Sequence, residues 1–382
     1  MRILVLESTS GQREIVDSRL FSEGFAMLRT IVNDLKNSGF EVITTLNKKF
    51  EKYESWIDAD NIFRHDELDR AIELQPDAAL VIAPEGELEL IVRRLRREKI
   101  TVLGPDESAI KKTGDKWETY KILKNKINLP ETWESYPENK GSVIAKPRYG
   151  VGSEEVQLTS GEPPDSRGKM MFQERIEGEH ASCCLLMNKD GGRVLSVNEQ
   201  KISTGNNKFE YRGNVIPLQR GGGKKCAEIA LRAAKEFDIE GYCGVDLVMG
   251  DRPYFMELNP RITTSFVGLS RVIRANLGEI LVKTLMENEP IPNVEISGCS
   301  VLRIPKTKEK VKINTKNSEE LREIPQIASP PPETEGVLEK ETPIFLALGS
   351  GKRLNQAENR LEAGIKKAVE ILGLDISKIS NI

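Results

Sequence analysis

Residues 241–261, Gly-Tyr-Cys-Gly-Val-Asp-Leu-Val-Met-Gly-Asp-Arg-Pro-Tyr-Phe-Met-Glu-Leu-Asn-Pro-Arg, constrain the fold more than any other stretch. They read as two strands, 244–249 and 254–259, folded back on each other about Asp251-Arg252. With the turn centred there, Asp246 lies opposite Glu257. A period of two then places Gly244, Asp246, Val248, Phe255, Glu257 and Asn259 on one face. The other face carries Val245, Leu247, Met249, Tyr254, Met256 and Leu258 and has to be buried. Directly opposed carboxylates, with Cβ atoms ~5 Å apart, repel unless positive charge lies between them. Two carboxylates and an amide oxygen are hard oxygen ligands, which suit Mg²⁺ shared with substrate phosphates. The plainer reading is a solvated polar face. Arg261, a cation just past the strand end, weighs against it.

Upstream, residues 142–146 form an apolar strand that delivers Lys146 and then the loop Gly150-Val151-Gly152-Ser153. Exposed backbone N–H groups beside a lysine make a phosphate cradle, although a glycine-rich turn between strands is the common explanation of such a loop. Between the two segments lies Gln173-Glu174-Arg175-Ile176-Glu177-Gly178-Glu179, a strand end with exposed glutamates. Two other glycine–lysine pairs fail as phosphate loops. A P-loop reading of Gly351-Lys352 finds Leu346 where glycine is needed and Arg353 where a hydroxyl is needed; Gly223-Lys224 finds Leu218 and Lys225.

Composition narrows the chemistry further. Of the 382 residues, 56 are Lys or Arg and 59 Asp or Glu, a net charge of −3. That balance lacks the cation excess of a sequence-independent nucleic-acid binder. Five cysteines without a CxxC pair, and only two histidines (His65 and His180), argue against a thiol zinc site, a disulfide framework or a multi-histidine metal site. No apolar run approaches the ~20 residues of a membrane helix, so no membrane partner is expected and the chain is read as cytoplasmic.

The first ~105 residues alternate apolar runs (3–6, 42–46, 78–83, 101–103) with helical patterns, which predicts a small parallel α/β domain. Ser8 to Gly11 reads as a loop. Beyond about residue 108 a helix is predicted from near Thr113 to Lys124, then antiparallel strands, a helix over 225–237, the acidic hairpin and a helix over 272–287. A proline-rich linker over 324–335, a strand over 343–348 and an apolar helical stripe from Leu354 to Leu372 complete the chain. The domains are accordingly 1–108, 109–292 and 293–382, the last packing on the second.

Taken in order, Asp115-Lys116, Ala145-Lys146-Pro147, the 150–153 loop, Gln173 to Ile176, Glu179, Asp246 and Glu257-Leu258-Asn259-Pro260-Arg261 resemble the ATP-grasp superfamily over about residues 1–292. The resemblance implies an α/β, ATP-grasp fold with a small parallel N-terminal domain and a C-terminal strand–helix extension. It implies an ATP-dependent, ADP-forming carboxylate–amine ligase that works through an acyl phosphate on small-molecule substrates. Dimers are common among such enzymes, so a homodimer is an expectation too. By the same resemblance, ATP would be bound by Lys116, Lys146, Gly150, Gly152, Ser153, Glu174, Arg175, Ile176 and Glu179. Asp246, Glu257 and Asn259 would hold two Mg²⁺ or Mn²⁺ ions, while Arg261 and Lys146 would be catalytic. Within the superfamily, Ser22-Glu23-Gly24-Phe25-Ala26-Met27 and Asn259 to Ser265 look like the tyramine–L-glutamate ligase group of methanofuran biosynthesis. Many ligases that grip an amino-acid carboxylate carry Arg two residues before the metal Asp, where this chain has Gly244; Arg212, Arg148 and Thr264 are the candidate substrate contacts instead. The alternatives are a different amino-acid or amine pair, or a phosphotransferase using the same ATP site.

Overall fold

The structure is a computed structural model that describes residues 1–11, 18–150, 156–161, 168–205, 207–314, 317–333 and 336–382. Strands β1 (Arg2–Glu7), β2 (Glu41–Leu46), β3 (Asn61–Arg64), β4 (Ala78–Ile82) and β5 (Thr101–Val102) form a parallel sheet in the order β3-β2-β1-β4-β5. Parallel strands covered on both faces are apolar on both, and Ile3, Leu4, Val5 and Leu6 are all fully buried. Ile3 and Val5 face helix Ser18–Asn37, whereas Leu4 and Leu6 face helix Glu85–Arg97. The first helix stops at Gly39, whose φ of +81° favours glycine; Phe40 N–H returns to Leu35 O at 3.2 Å. Sheet order reverses between β1 and β4, so the carboxyl ends of those strands flank an open crevice. Ser8–Gly11 is a helical turn and not the expected loop. The buried Glu7 carboxylate organises it by accepting from Thr9 N–H at 2.9 Å and Ser10 N–H at 2.6 Å.

The second sheet contains β6 (Thr132–Trp133), β7 (Val143–Pro147), β8 (Gln157–Thr159), β9 (Met170–Gln173), β10 (Glu179–Asn188), β11 (Gly191–Gly205), β12 (Lys208–Ile216), β13 (Gly241–Met249) and β14 (Pro253–Asn259). Its order is β14-β13-β10-β11-β12-β8-β7-β9-β6. The back of β13 and β14 buries Val245, Leu247, Phe255 and Leu258 against Ala230 and Ala233 of helix Gly223–Glu236 and Phe237 just beyond it.

Asp246 pairs with Glu257, as the sequence predicts. The register then shifts, and Leu247 pairs with Phe255. The extra residue is Met256, a β-bulge that corrects the expected faces: Phe255 goes to the apolar back, and Met256 lines the polar front. The helix expected from Thr113 to Lys124 is two helices, Glu107–Gly114 and Lys116–Leu123, broken at Asp115. The Asp115 side chain caps the second by accepting from Trp117 N–H at 3.0 Å and Glu118 N–H at 3.2 Å. The expected 272–287 helix begins later, as Leu277–Met286, and a separate short helix, Ser265–Ser270, precedes it. Asn276 caps Leu277–Met286, accepting from Glu279 N–H at 2.9 Å.

Strands β15 (Cys299–Arg303), β16 (Lys306–Thr307), β17 (Val311–Ile313), β18 (Gly336–Leu338), β19 (Ala347–Gly351) and β20 (Ile379–Ser380) form the tail. β15 extends the large sheet at β12, and β19 pairs with β15. Helix Leu354–Ile371 lies so close to β19 that a Cβ on Gly349 would meet Ala357 O. The proline-rich stretch is not an exposed linker. Ile324, Ile327, Ala328 and Ser329 are buried, and Arg29 donates to Ile327 O at 3.0 Å. The tail therefore packs on the N-terminal part as well as on the large sheet.

Candidate active site

A cleft of ≈ 320 Å³ lies in front of the large sheet and gathers residues from distant parts of the chain. β7 supplies Lys146, the strand end after β9 supplies Glu174, Arg175 and Ile176, and the hairpin supplies Asp246, Glu257 and Asn259. Arg261 and Thr264 follow from the loop after β14.

The acidic pair is unequal. Burial and the facing Glu257 push the Asp246 carboxyl up to about 7, against hydrogen bonds donated by Gln200 Nε2 (2.8 Å) and Asn259 Nδ2 (3.2 Å). Burial also acts to raise Glu257, but nearby Lys116, Lys146 and Arg261 outweigh it and hold that carboxyl below its ordinary value. Lys116 Nζ sits 3.1 Å from Glu257 Oε1. Lys146 is 7% exposed, and burial, helped by Lys116, brings its ammonium down to about 8 although Glu257 opposes the fall. Arg261 donates to Ile262 O at 3.2 Å and to Asn259 Oδ1 at 3.5 Å; its Nε finds no hydrogen-bond partner among the described residues and stands 3.9 Å from Glu85 Oε1.

The donor set fits a hard divalent cation with open coordination positions. No cluster of three His, Cys, Asp or Glu suited to a metal occurs among the described residues, so a cation here would have two facing carboxylates and the Asn259 amide. Mg²⁺ characteristically takes one or two carboxylates and completes its shell with phosphates and water. Burial first, and then the facing Glu257, raise the Asp246 carboxyl, and a cation seated between the two acids would relieve that repulsion.

The other expected site residues lie elsewhere. Lys116 borders the cleft, donating from Nζ to Gly150 O at 2.6 Å, which ties it to the start of the glycine loop. Gly152 and Ser153 lie outside the described residues. Glu179 is exposed, paired with Arg220 and absent from the cleft lining. Arg148 forms a bidentate pair with Asp115 (2.8 and 2.7 Å) and so braces the cap of helix Lys116–Leu123. Arg212 is held by Ser203 Oγ at 3.0 Å and Glu210 at 2.7 Å. Neither arginine lines the cleft. His180 does line it, fixed on the central strand β10, whereas a swinging phosphocarrier needs a mobile histidine.

Gln200 is a cleft residue that the sequence motifs do not single out; it lies on β11 beyond the apolar stretch Val194 to Val197. The alternation Ser196, Asn198, Gln200 continues one face of β11 and was the available signal. Below it, Asn198 Nδ2 donates to Ser182 Oγ (3.4 Å), while Asn214 Nδ2 donates to Ser265 Oγ (3.1 Å) and Tyr211 OH (2.9 Å). This buried polar floor anchors the 263–265 segment beside the cleft.

Comparison with known proteins places these elements in a family context. Residues 113–265 match a family model described as an ATP-grasp domain. A tyramine–L-glutamate ligase from Methanocaldococcus fervens is 28% identical over 290 residues, covering 73% of this chain and 92% of the relative. A protein of the same name from Methanocaldococcus jannaschii is 28% identical over 287 residues, covering 72% and 86%. The crystal structure of a protein from Archaeoglobus fulgidus assigned to the ATP-grasp superfamily superposes with a TM-score of 0.66 at 27% identity, covering 83% of this chain and 94% of that one. A biotin carboxylase–β-γ-ATP complex from Campylobacter jejuni gives 0.72 at 14% identity, covering 96% and 90%, a likeness of fold alone.

Proposed function

We propose that this ATP-grasp protein, an ATP-dependent, ADP-forming carboxylate–amine ligase, joins the γ-carboxyl of glutamate to the amine of tyramine through an acyl phosphate, as a step of methanofuran biosynthesis. The observation that carries this reading is the convergence of the Asp246–Glu257 pair, Lys146 and Arg261 on one cleft. The substrate names come from the two curated relatives.

In this reading a carboxylate oxygen attacks the γ-phosphorus of ATP and ADP leaves. The amine nitrogen then attacks the acyl carbon, the amide forms, and phosphate and a proton depart. No enzyme nucleophile is needed, so the work of the protein is positioning and charge neutralisation. Lys146 and Lys116 hold the phosphates. Residues 174–176 receive the adenosine, and Arg261 steadies the transferring phosphoryl; Glu179, paired with Arg220 outside the cleft, takes no part. Asp246, Glu257 and Asn259 would hold two Mg²⁺ or Mn²⁺ ions, which when bound neutralise phosphate charge. Five buried free cysteines take no part in such chemistry.

The test is ADP release with glutamate alone, tyramine alone and both together, alongside mass detection of the amide. ADP and amide formed in equal amounts only with the pair is the expected result. Silence with both substrates refutes the substrate assignment.

A further inference from the structure

A second cavity, of ≈ 140 Å³, opens at the carboxyl ends of β1 and β4, in the crevice where the order of the N-terminal sheet reverses. That is several times the ~30 Å³ of one liquid water, so the space admits a small organic molecule. Glu23, Arg261 and Thr264 line both this cavity and the main cleft. Arg261 thus stands at the junction of the two.

The walls divide by chemistry. Leu20, Met27, Ile82 and Ala83 form an apolar side, and Glu7 and Glu23 supply carboxylates. Glu7 is 2% exposed; hydrogen bonds from Thr9 and Ser10 orient it without neutralising it. Glu23 accepts a hydrogen bond from the Thr264 hydroxyl, which links helix Ser18–Asn37 to the loop beyond the hairpin. Among the described residues no lysine or arginine is in ion-pair contact with either carboxylate; Arg261, the cation on this wall, lies nearest to Glu85. Burial pushes both carboxyls up, although Thr264, Lys306 and Arg261 oppose the rise at Glu23, and an incoming cation in contact would relieve it further. An anionic ligand would meet two carboxylates here, whereas a cation with an apolar body matches both walls.

We infer that this second cavity is the amine subsite, holding the ammonium of an arylalkylamine against Glu23 with its apolar body along Leu20, Met27 and Ile82. The assignment rests on the ligase reading above and locates its second substrate. The carboxyl donor is then left to the main cleft, on the other side of Arg261.

Glu23→Gln removes the charge and keeps the shape. A second variant, Leu20→Lys, places a cation in the wall at a half-buried position that tolerates it. For each, kcat/KM with tyramine is compared with glutamyl hydroxamate formation from glutamate, ATP and hydroxylamine, a small neutral nucleophile that captures acyl phosphate without needing the subsite. The expected result is a fall in tyramine kcat/KM about 10–100-fold greater than the fall in hydroxamate formation, as loss of a charge-assisted hydrogen bond requires. Equal falls in the two reactions, or an unchanged tyramine KM in both variants, overturn the subsite. If the wild-type protein forms no hydroxamate, the ligase reading itself has failed. Equilibrium dialysis of tyramine then still decides the subsite: binding weakened in Glu23→Gln supports it, and equal binding refutes it.

Discussion

Replacing Glu257 by Gln separates a catalytic acidic pair from a structural one. Glu257 faces Asp246 across the hairpin, lies 3.1 Å from Lys116 Nζ and is the counter-charge that Lys146 feels. Its removal leaves Lys146 buried without that partner. The cost is bounded, because an ammonium already lowered to about 8 can shed its proton at pH 7 for about 1.4 kcal/mol. Asp246 loses its repelling neighbour at the same time, which returns part of that cost. The fold should therefore lose no more than ~2 kcal/mol, a melting shift of a few degrees. Activity should fall much further. Neutralising phosphate charge through a bound cation is worth several kcal/mol, which translates to ~10²–10⁴-fold in kcat. The assay is ADP release at saturating ATP, Mg²⁺, glutamate and tyramine, run beside a thermal melt. Turnover within tenfold of wild type refutes the argument; so does a melting temperature that collapses together with activity.

Three further outcomes follow from the same structure. Lys146→Met should keep the fold and raise the KM for ATP at least about tenfold, since a buried ammonium is replaced by an apolar chain of similar length; an unaltered ATP response removes Lys146 from the phosphate site. Burial raises the Asp34 carboxyl from its ordinary value of 3.8 to about 7, against hydrogen bonds from Ser270. The folded state thus holds a proton that the unfolded state releases, and stability present below about pH 4 is lost as pH rises through 7. Asp34→Asn should be the more stable protein at pH 8 by ~1–3 kcal/mol, allowing for residual solvent contact, and equal to wild type near pH 4; parallel melts at both pH values check it. Gly349→Val should destabilise by ~1–3 kcal/mol, because its side chain would collide with Ala357 O and Leu361 on the tail helix, and chemical denaturation reads the loss.

Much of the site was legible because its residues sit where local rules govern. Asp246 and Glu257 lie opposite each other through strand alternation and one hairpin, and Lys146 ends an apolar strand whose inward side chains leave it buried. The Met256 bulge was not legible, since one unpaired residue leaves the hydrophobic pattern almost unchanged while moving Phe255 to the opposite face. Arg148 and Arg212 were read as substrate contacts from their charge alone. Arg148 meets Asp115 from 33 residues away, which no local pattern shows, whereas Arg212 pairs with Glu210 two residues back on the same face of β12, a contact that strand alternation could have shown. The proline-rich segment read as a linker by composition, yet Ile324, Ile327 and Ala328 are the apolar residues that bury it. Glu23 shows the same limit: its partner Thr264 is 241 residues away, and no local pattern joins them.

The account depends on a divalent cation seated between the facing carboxylates. Anomalous diffraction from crystals grown with Mn²⁺ and a non-hydrolysable ATP analogue tests this directly. The predicted result is an anomalous peak at coordination distance, roughly 2.0–2.2 Å, from oxygens of Asp246, Glu257 or Asn259 and of the nucleotide phosphates. A bound nucleotide whose phosphates lie away from the hairpin, with no manganese peak between the two acids, would contradict it.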